Sequence, residues 1–403
     1  MKKVLFRFII FIAISKLIIT TSNAQSWQQI QNFSGAERDD ATGFMIDNKA
    51  YCGTGLAVGW VTTKDFYRFD LETETWSAIP EMPINTERQY ACGFSFNANG
   101  YVFGGTKNSA LNDLWMYDSA QNSWVQKPSK PGLGLSGACS FVIGTKAYIV
   151  GGSMDSTSAS KQVWSYNFVS EDWTRKNDFP FGGLWRASAA THNNAGYILF
   201  GKDSIGNYNN NLYKYNVVDD TWQQISTFPE VGRTYATMQI MYNNIVVFSG
   251  VDSLSNYSNN LWNYNIDSNT WHLQNVVMTT ARKGGVSFCS GNKLYYTTGI
   301  TQQNQRLNET WKIENPTFIT ESKGANSVKI FPNPSSDILN FEFDGNTFTR
   351  LKILDVLGNE TLTENIIRNV NTSVDISHLS AGFYTVCISN NYRTEVLKFC
   401  IVK

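Results

Sequence analysis

Five arginines recur along the chain at intervals of about 49 residues, and they are the side chains best suited to binding a ligand. They are Arg38, Arg88, Arg186, Arg233 and Arg282, and Ser136 fills the one gap in the series. A guanidinium is always charged and holds a carboxylate through paired hydrogen bonds. Several guanidiniums at one place would repel one another unless an anion or neighbouring carboxylates offset their charge. The spacing therefore predicts an anion site wherever the repeat brings these residues together.

Two of these arginines directly follow an acidic residue, whereas the other three do not. Glu37 and Glu87 stand next to the first two and can offset their charge. We therefore expect the side of the site that holds the last three arginines to be electropositive, with Trp185 and Tyr235 as flanking rings. Together, the five arginines and these two rings form the predicted ligand-binding set. An acidic sugar or a carboxylate side chain would suit such a site.

Other chemistry is sparse in this sequence. There are only three histidines, His192, His272 and His378, so no multi-histidine metal site is predicted, and we expect no cofactor. Glu37, Glu87 and Asp39 are the only carboxylates placed beside repeat arginines as an acid/base pair would require. Motifs for a nucleophile elbow, a phosphate-binding loop or a dinucleotide site are lacking, and no catalytic residue is predicted. Charge is balanced at 33 basic and 33 acidic residues without a basic stripe, which argues against nucleic-acid binding.

The elements that must position the arginines are β-hairpins repeated at the same interval. Each hairpin has an aromatic anchor in its first arm and a tryptophan at the start of its second arm. The anchors are Tyr67, Trp115, Trp164, Tyr213, Trp262 and Trp311, and the closing tryptophans are Trp27, Trp76, Trp124, Trp173, Trp222 and Trp271. A glycine ends the second strand of every copy: Gly55, Gly105, Gly152, Gly201, Gly250 and Gly299. A period of 40 to 50 residues with about four strands per copy predicts ringed or stacked β-units.

This pattern resembles the kelch repeat. An arginine leads the first strand, glycine follows the second, a Tyr or Trp lies in the third and a Trp opens the fourth. The resemblance covers residues 25–315 and implies a six-bladed kelch β-propeller, an all-β fold. Because the chain starts on a fourth strand and leaves the repeat on a third, residues 27–30 are expected to complete the blade that contains Trp311.

The two ends of the chain carry different signals. Residues 1–24 have a basic start, an apolar middle and a small-residue end, which predicts a secretory signal peptide and leaves no membrane-spanning segment in the mature protein. A linker is predicted at 316–327, and short alternating strands at 328–403 predict a small Ig-like β-sandwich. Its phrases KIFPNPSSDILNFEF and DISHLSAGFYTVCIS resemble the type A C-terminal sorting domain of type IX secretion cargo. The resemblance implies handling by that machinery and a secreted or outer-surface location in a Gram-negative bacterium.

Two functions remain open at this point. The first is a binding or adhesion protein that recognises a glycan or protein ligand, anionic in character, through its loop-rich face, since variable loops on a rigid scaffold commonly carry recognition. The second is a sugar-acting enzyme resembling the kelch sialic acid mutarotase/epimerase. A copper-radical oxidase of the galactose-oxidase type, another kelch relative, needs two histidines and a tyrosine cross-linked to cysteine at its copper site. His378 belongs to the C-terminal domain and His272 follows Trp271 on an outer strand, which counts against this type.

Overall fold

The structure, a computed structural model, describes residues 26–155, 157–278, 280–314, 328–343, 350–356, 358–365, 372–389 and 394–403. These ranges contain strands and turns but no helix, so the predicted all-β class is confirmed. The predicted signal peptide and linker lie outside the described residues. None of the described residues belongs to a helix of the length and hydropathy needed to cross a membrane.

Residues 26–314 form six four-stranded antiparallel sheets, numbered here in chain order. Sheet 1 contains Thr42–Ile46, Lys49–Gly53, Phe66–Asp70 and Thr75–Ile79. Sheet 2 contains Cys92–Phe96, Asn99–Phe103, Leu114–Asp118 and Ser123–Lys127. Sheet 3 contains Ser136–Ile143, Lys146–Ser153, Val163–Asn167 and Trp173–Arg175. Sheet 4 contains Trp185–His192, Ala195–Lys202, Asn211–Asn216 and Thr221–Thr227. Sheet 5 contains Thr237–Met241, Asn244–Phe248, Asn260–Asn265 and Thr270–Val277. Sheet 6 contains Val286–Ser290, Lys293–Thr297, Thr310–Glu314 and the N-terminal strand Gln28–Ile30.

The six sheets are arranged in a cycle. The first strand of each sheet contacts the first strand of the next, and that of sheet 6 contacts that of sheet 1. Small residues allow this approach, since a Cβ on Gly93 would lie 2.2 Å from the carbonyl oxygen of Gly43. The cycle is closed by Gln28–Ile30, which pairs antiparallel with Thr310–Glu314. In this pairing Gln29 lies opposite Trp311.

The closing tryptophans hold neighbouring sheets together. The indole N–H of Trp124 in sheet 2 donates to the carbonyl of Pro80 at the end of sheet 1, at 2.8 Å. Trp173 in sheet 3 donates to Pro128 in the same way, at 2.7 Å. A large ring can thus pack between two sheets while its one polar atom keeps a partner. Trp76 and Trp271 also donate across to neighbouring sheets, whereas the indole N–H groups of Trp27 and Trp222 have no partner, so ring packing between sheets is the feature that the closing tryptophans share.

Short ribbons position the arginine-bearing segments at one end of the cycle. Arg38–Asp39 pairs with Leu56–Ala57, which pairs in turn with Val61–Thr62. Two further ribbons are built alike, Arg233–Thr234 with Val251–Asp252 and Arg282–Lys283 with Ile300–Thr301. Each ribbon ties the segment before a first strand to the loop that leaves a second strand. We call this end of the cycle the loop face.

The C-terminal segment forms two sheets with its own core. One sheet contains Val328–Phe331, Ile338–Phe343 and Thr372–Asp375. The other contains Glu360–Asn365, Arg350–Leu354, Gly382–Ser389 and Thr394–Ile401. Leu339 and Phe341 of the first sheet share one buried cluster with Ile353 and Ile388 of the second. The two sheets therefore pack face to face.

Candidate functional site

Six residues in the left-handed backbone region form a ring where the chain enters the first strands. Their φ angles lie between 56° and 67°, and they are Asp40, Tyr90, Gly137, Arg186, Tyr235 and Gly284, one for each sheet. Backbone hydrogen bonds connect neighbours around the ring. The amide of Asp40 donates to Gly284 at 2.7 Å, that of Tyr90 to Asp40 at 3.1 Å, and that of Gly137 to Tyr90 at 2.8 Å. The same places in the six sheets thus converge on the axis at the loop face.

Four of the six ring positions carry side chains, and we call these four residues, Asp40, Tyr90, Arg186 and Tyr235, the mouth cluster. A left-handed conformation is nearly free for glycine but costs other residues on the order of 1 kcal/mol or more. Strain of this kind is concentrated at functional sites. The other two sheets have glycine at this position, and a Cβ on Gly137 would lie 2.6 Å from the Trp185 indole nitrogen.

Arg186 is enclosed by aromatic rings. Its guanidinium carbon lies 3.9 Å from the ring centres of both Tyr90 and Tyr235 and 3.7 Å from that of Trp185. Burial lowers the pKa of Arg186, and the neighbouring Tyr90 and Asp40 oppose that shift. Ring faces attract a cation but leave its N–H groups available, and the buried Nε of Arg186 has no hydrogen-bond partner. The aromatic rings therefore hold Arg186 in place while its Nε stays without a hydrogen-bond partner.

Asp40 provides a carboxylate beside this guanidinium. Its side chain is only 7 % exposed, and burial, followed by the charge of Asp39, raises its pKa to about 7. Arg186 and a hydrogen bond from Tyr90 limit that rise. Burial, followed by the charge of Asp40, raises the pKa of Tyr90, so its hydroxyl stays protonated and donates. Asp40 can therefore gain or lose a proton near neutral pH.

Two lysines add positive charge to the mouth cluster. Lys202 Nζ lies 4.6 Å from the centre of the Trp185 ring, and Lys283 Nζ lies 4.6 Å from that of Tyr235. Burial, together with the charges of Arg186 and Lys283, lowers the pKa of Lys202. Within the described parts of the chain, none of these three cations forms an ion pair with a carboxylate. Three cations surround the mouth cluster, and the pKa of its one carboxyl, that of Asp40, is raised, so the site is electropositive.

A hydroxyl-rich pocket of about 90 Å³ lies next to the mouth cluster and is lined by Lys202 and by Trp185, whose ring contacts Arg186. Its other lining residues come from the loops of sheets 3 and 4 and include Ser153, Thr157, Ser158, Asp203 and Ser204. An aromatic wall with several hydroxyls and a cation suits a polyhydroxylated anion.

The other four predicted arginines do not join this cluster, and for them the hypothesis of free guanidiniums fails. Arg38 and Arg88 are at most 1 % exposed, and each makes two hydrogen bonds of 2.7 Å, to the carboxylates of Asp65 and Asp113 respectively. Arg282 bonds Glu309 at 2.5 Å, and Arg233 is paired with Glu230. Removing one partner of a buried ion pair costs about 3–5 kcal/mol. These four arginines therefore stabilise the fold.

Arg186 differs from the other four because it lies two residues further along its repeat. In sheets 1, 2, 3 and 5, the backbone amide of the glycine that ends the second strand donates to a backbone carbonyl of the next repeat. For the glycines of sheets 1 and 5 the acceptors are Arg88 and Arg282, but for those of sheets 2 and 3 they are Leu135 and Leu184. Leu184 therefore occupies the structural equivalent of Arg88, and Arg186 occupies the ring position of Tyr90. Spacing alone could not separate these two positions.

The structure also adds residues that the sequence analysis missed. Asp40, Tyr90, Lys202 and Lys283 join Arg186, Trp185 and Tyr235. The position two residues after each repeat arginine could have identified Asp40 and Tyr90, whereas the repeat gave no such signal for the two lysines. Of the carboxylates considered, Glu37 is exposed, Glu87 pairs with Lys107 at 2.8 Å, and Asp39 pairs with Arg306 at 2.6 Å. His192 contacts Asn243 at 2.7 Å. Over the described ranges, no three His, Cys, Asp or Glu side chains are grouped as a metal ion would need.

Three family models match the chain. They are the KLHDC2/KLHL20/DRC7 Kelch-repeats domain at residues 137–319, the Attractin/LZTR1 beta-propeller at 50–194, and the Secretion system C-terminal sorting domain at 329–403. The first two overlap and together span most of the six sheets. The third spans both sheets of the C-terminal segment.

Curated relatives match over a shorter stretch. The N-acetylneuraminate epimerases of Shigella flexneri and of Escherichia coli strain K12 are each 33 % identical over 120 residues, which is 28 % of this chain and 31 % of theirs. The match thus spans about a third of the length of these relatives. A solved structure titled "Structure of YjhT" superimposes with a TM-score of 0.61 at 17 % identity, covering 71 % of this chain and 99 % of that one. At that identity the likeness concerns the fold.

Proposed function

Since this chain is a kelch-repeat β-propeller protein with a C-terminal type IX secretion sorting domain, we propose that it is an exported sugar-binding protein that holds an acidic sugar at the mouth cluster. In this proposal the six sheets are the six blades of one propeller, closed by Gln28–Ile30. A signal peptide at residues 1–24 starts export, and the sorting domain directs the protein to the outer surface or the medium.

The observation that carries the proposal is the positive charge of Arg186, Lys202 and Lys283, which form no ion pair with a carboxylate among the described residues. Arg186 is fixed by three rings and flanked by Lys202 and Lys283, and its Nε has no hydrogen-bond partner within the protein. A sugar carboxylate would complete this arrangement, because Arg holds carboxylates with paired hydrogen bonds. The relatives named N-acetylneuraminate epimerase support this choice, since N-acetylneuraminate is a sugar that bears a carboxylate.

Replacing Arg186 by Gln should weaken the binding of N-acetylneuraminate at least tenfold, because a charged hydrogen bond contributes about 1.5–3 kcal/mol. Isothermal titration of the full mature protein would measure it. Lys107→Gln is the matched control, because it removes a cation from the loop face that is already paired with Glu87. The neutral sugar N-acetylglucosamine should not compete. Equal affinity of the Arg186→Gln protein and the unaltered protein would exclude the mouth cluster as the site.

Deleting residues 328–403 should leave a folded propeller in the periplasm. The core of this segment, which includes Phe341 and Ile388, is built from its own strands, so the same segment grafted onto a foreign exported domain should carry that domain out. A graft with Phe341→Asp, which places a charge in this core, is the matched control and should fail. Immunoblots of periplasm, surface and medium would report the outcome, and normal secretion of the truncated protein would contradict the assignment.

A second candidate function is catalysis on the same sugar. Asp40 favours it, because a carboxyl with a pKa of about 7 can act as a general base at neutral pH. N-acetylneuraminate is a cyclic hemiketal. Epimerisation at its anomeric carbon requires a base to take the proton of the anomeric hydroxyl while the ring C–O bond breaks and the ring oxygen takes a proton from water. Closure on the other face reverses these transfers, and Asp40 would accept and return the anomeric proton.

A further inference from the structure

Two tryptophans lie outside the repeat. Of the twelve tryptophans in the chain, six are closing residues and four are aromatic anchors, which leaves Trp60 and Trp185. Trp185 contacts Arg186 in the mouth cluster. Trp60 is 77 % exposed, and it is the only one of the twelve that the structure leaves exposed. Neither the repeat nor the core accounts for this indole.

The backbone holds Trp60 at the tip of a short hairpin on the loop face. Leu56 pairs with Thr62 and Ala57 pairs with Val61, and the Trp60 amide donates to the Ala57 carbonyl at 3.2 Å. Trp60 itself has a φ of 63°, which is costly for a bulky residue. A small residue would fit this turn with less strain and expose less apolar surface. The hairpin thus presents the indole at the expense of stability.

The indole is also held from one side by a cation. The guanidinium carbon of Arg306 lies 4.9 Å from the centre of the Trp60 ring. Arg306 Nε donates to Asp39 Oδ1 at 2.6 Å, and both side chains are buried. Asp39 directly precedes Asp40 and contributes to the electrostatic environment of Arg186. Trp60 is therefore coupled through two contacts to the mouth cluster, while most of its ring surface remains open to solvent.

We propose that Trp60 is a stacking platform for a second sugar ring, so that the ligand is an oligosaccharide with its acidic sugar at the mouth cluster and a neighbouring pyranose on Trp60. This inference rests on the proposed function and extends it from one sugar to a glycan chain. The apolar C–H face of a pyranose packs well against an indole, whose face is electron-rich. A fixed ring binds at little entropic cost, because its rotamer is already set. Val58 and Val61, at 63 % and 57 % exposure, extend the apolar surface around it.

The test compares three probes on the full mature protein by isothermal titration: N-acetylneuraminate, the acidic trisaccharide 3′-sialyllactose, and lactose. The unaltered protein should bind sialyllactose about three- to tenfold more tightly than N-acetylneuraminate, which is the range expected of one aromatic contact. Trp60→Ala should remove that gain and leave the affinity for N-acetylneuraminate unchanged. Leu254→Ala is the matched control, an apolar residue in a loop of sheet 5 that is as exposed as Trp60 but lies outside the hairpin, and should retain the gain. Saturation-transfer NMR should show the lactose-unit protons of sialyllactose contacting the unaltered protein but not the Trp60→Ala protein.

The two proposals fail in different ways. If N-acetylneuraminate and sialyllactose bind equally, or if Trp60→Ala keeps the gain, the platform is overturned and the mouth site stands. If neither acidic probe binds but lactose binds in a Trp60-dependent manner, the mouth site is overturned and the platform stands for a neutral glycan. Lack of binding by all three probes overturns both, and points to a protein partner for this exposed apolar hairpin.

Discussion

Deleting residues 25–33 is expected to lower the melting temperature of the protein by about 12–20 °C. The segment supplies the fourth strand of sheet 6 and two large buried rings, Trp27 and Phe33, at 7 % and 1 % exposure. Losing a buried Phe or Trp side chain costs roughly 3–5 kcal/mol each. Each kcal/mol lowers the melting temperature of a domain this large by about 2 °C. The two rings alone therefore account for the expected shift.

Phe33 explains why the loss should be cooperative. Its ring centre lies 5.0 Å from that of Trp76 in sheet 1. Its amide donates to the carbonyl of Asn308, in the loop before strand Thr310–Glu314 of sheet 6, at 2.7 Å. The guanidinium carbon of Arg38 lies 4.9 Å from the same ring. One side chain thus joins the first and last sheets, and its removal opens the cycle at a single place.

Thermal unfolding followed by circular dichroism would measure this effect. The matched control is the double variant Gln28→Ala, Gln29→Ala, which alters two exposed side chains on the same strand and keeps its backbone pairing. That control should melt within about 1–2 °C of the unaltered protein, because exposed substitutions usually cost little. If the deletion melts like the control, the cycle is not closed by this strand.

Replacing Asp40 by Asn should abolish any acceleration of N-acetylneuraminate anomer exchange, a loss of at least about 100-fold if Asp40 is the general base. The amide keeps the size of the side chain but cannot accept the anomeric proton at neutral pH. Exchange between the two anomers can be followed directly by NMR after dissolving the crystalline sugar. Asp252→Asn, a carboxylate in a loop of sheet 5 outside the mouth cluster, is the matched control and should leave the rate unchanged.

The dependence on pH gives an independent check on the same residue. Because burial raises the pKa of Asp40 to about 7, its basic form, and with it the exchange rate, should rise through pH 7 and level off above about pH 8. Stability should respond in the opposite direction: a raised pKa means that the folded state binds more protons between about pH 4 and 7, so this group favours folding less as pH rises. Both trends should vanish in Asp40→Asn. A protein that never accelerates exchange would leave binding as the function.

The regular part of this molecule was predictable because it depends on local periodicity. Alternating side chains define a strand, polar turns end it, and a repeat of about 49 residues places one β-unit after another. The resemblances to the kelch repeat and to the type IX sorting domain are confirmed by the family models. A comparison of the internal repeats also shows which arginines have an acidic partner. Asp65, Asp113 and Glu309 stand where Arg38, Arg88 and Arg282 need a partner, whereas the repeats with Leu135 and Leu184 have Gln162 and Asn211 there.

The identity of the site was decided by the tertiary structure. Arg38 and Arg186 are the same residue type at similar spacing, yet the first is neutralised by Asp65 and the second stacks between rings from three sheets. A side chain two residues further along the repeat lies at the axis and not in a buried ion pair. The spacing of the arginines does not distinguish these two positions. The contact between Arg306 and Asp39 joins positions 267 residues apart. Burial and charge pairing depend on which distant residues the closed cycle brings together, so they could be established only from the fold.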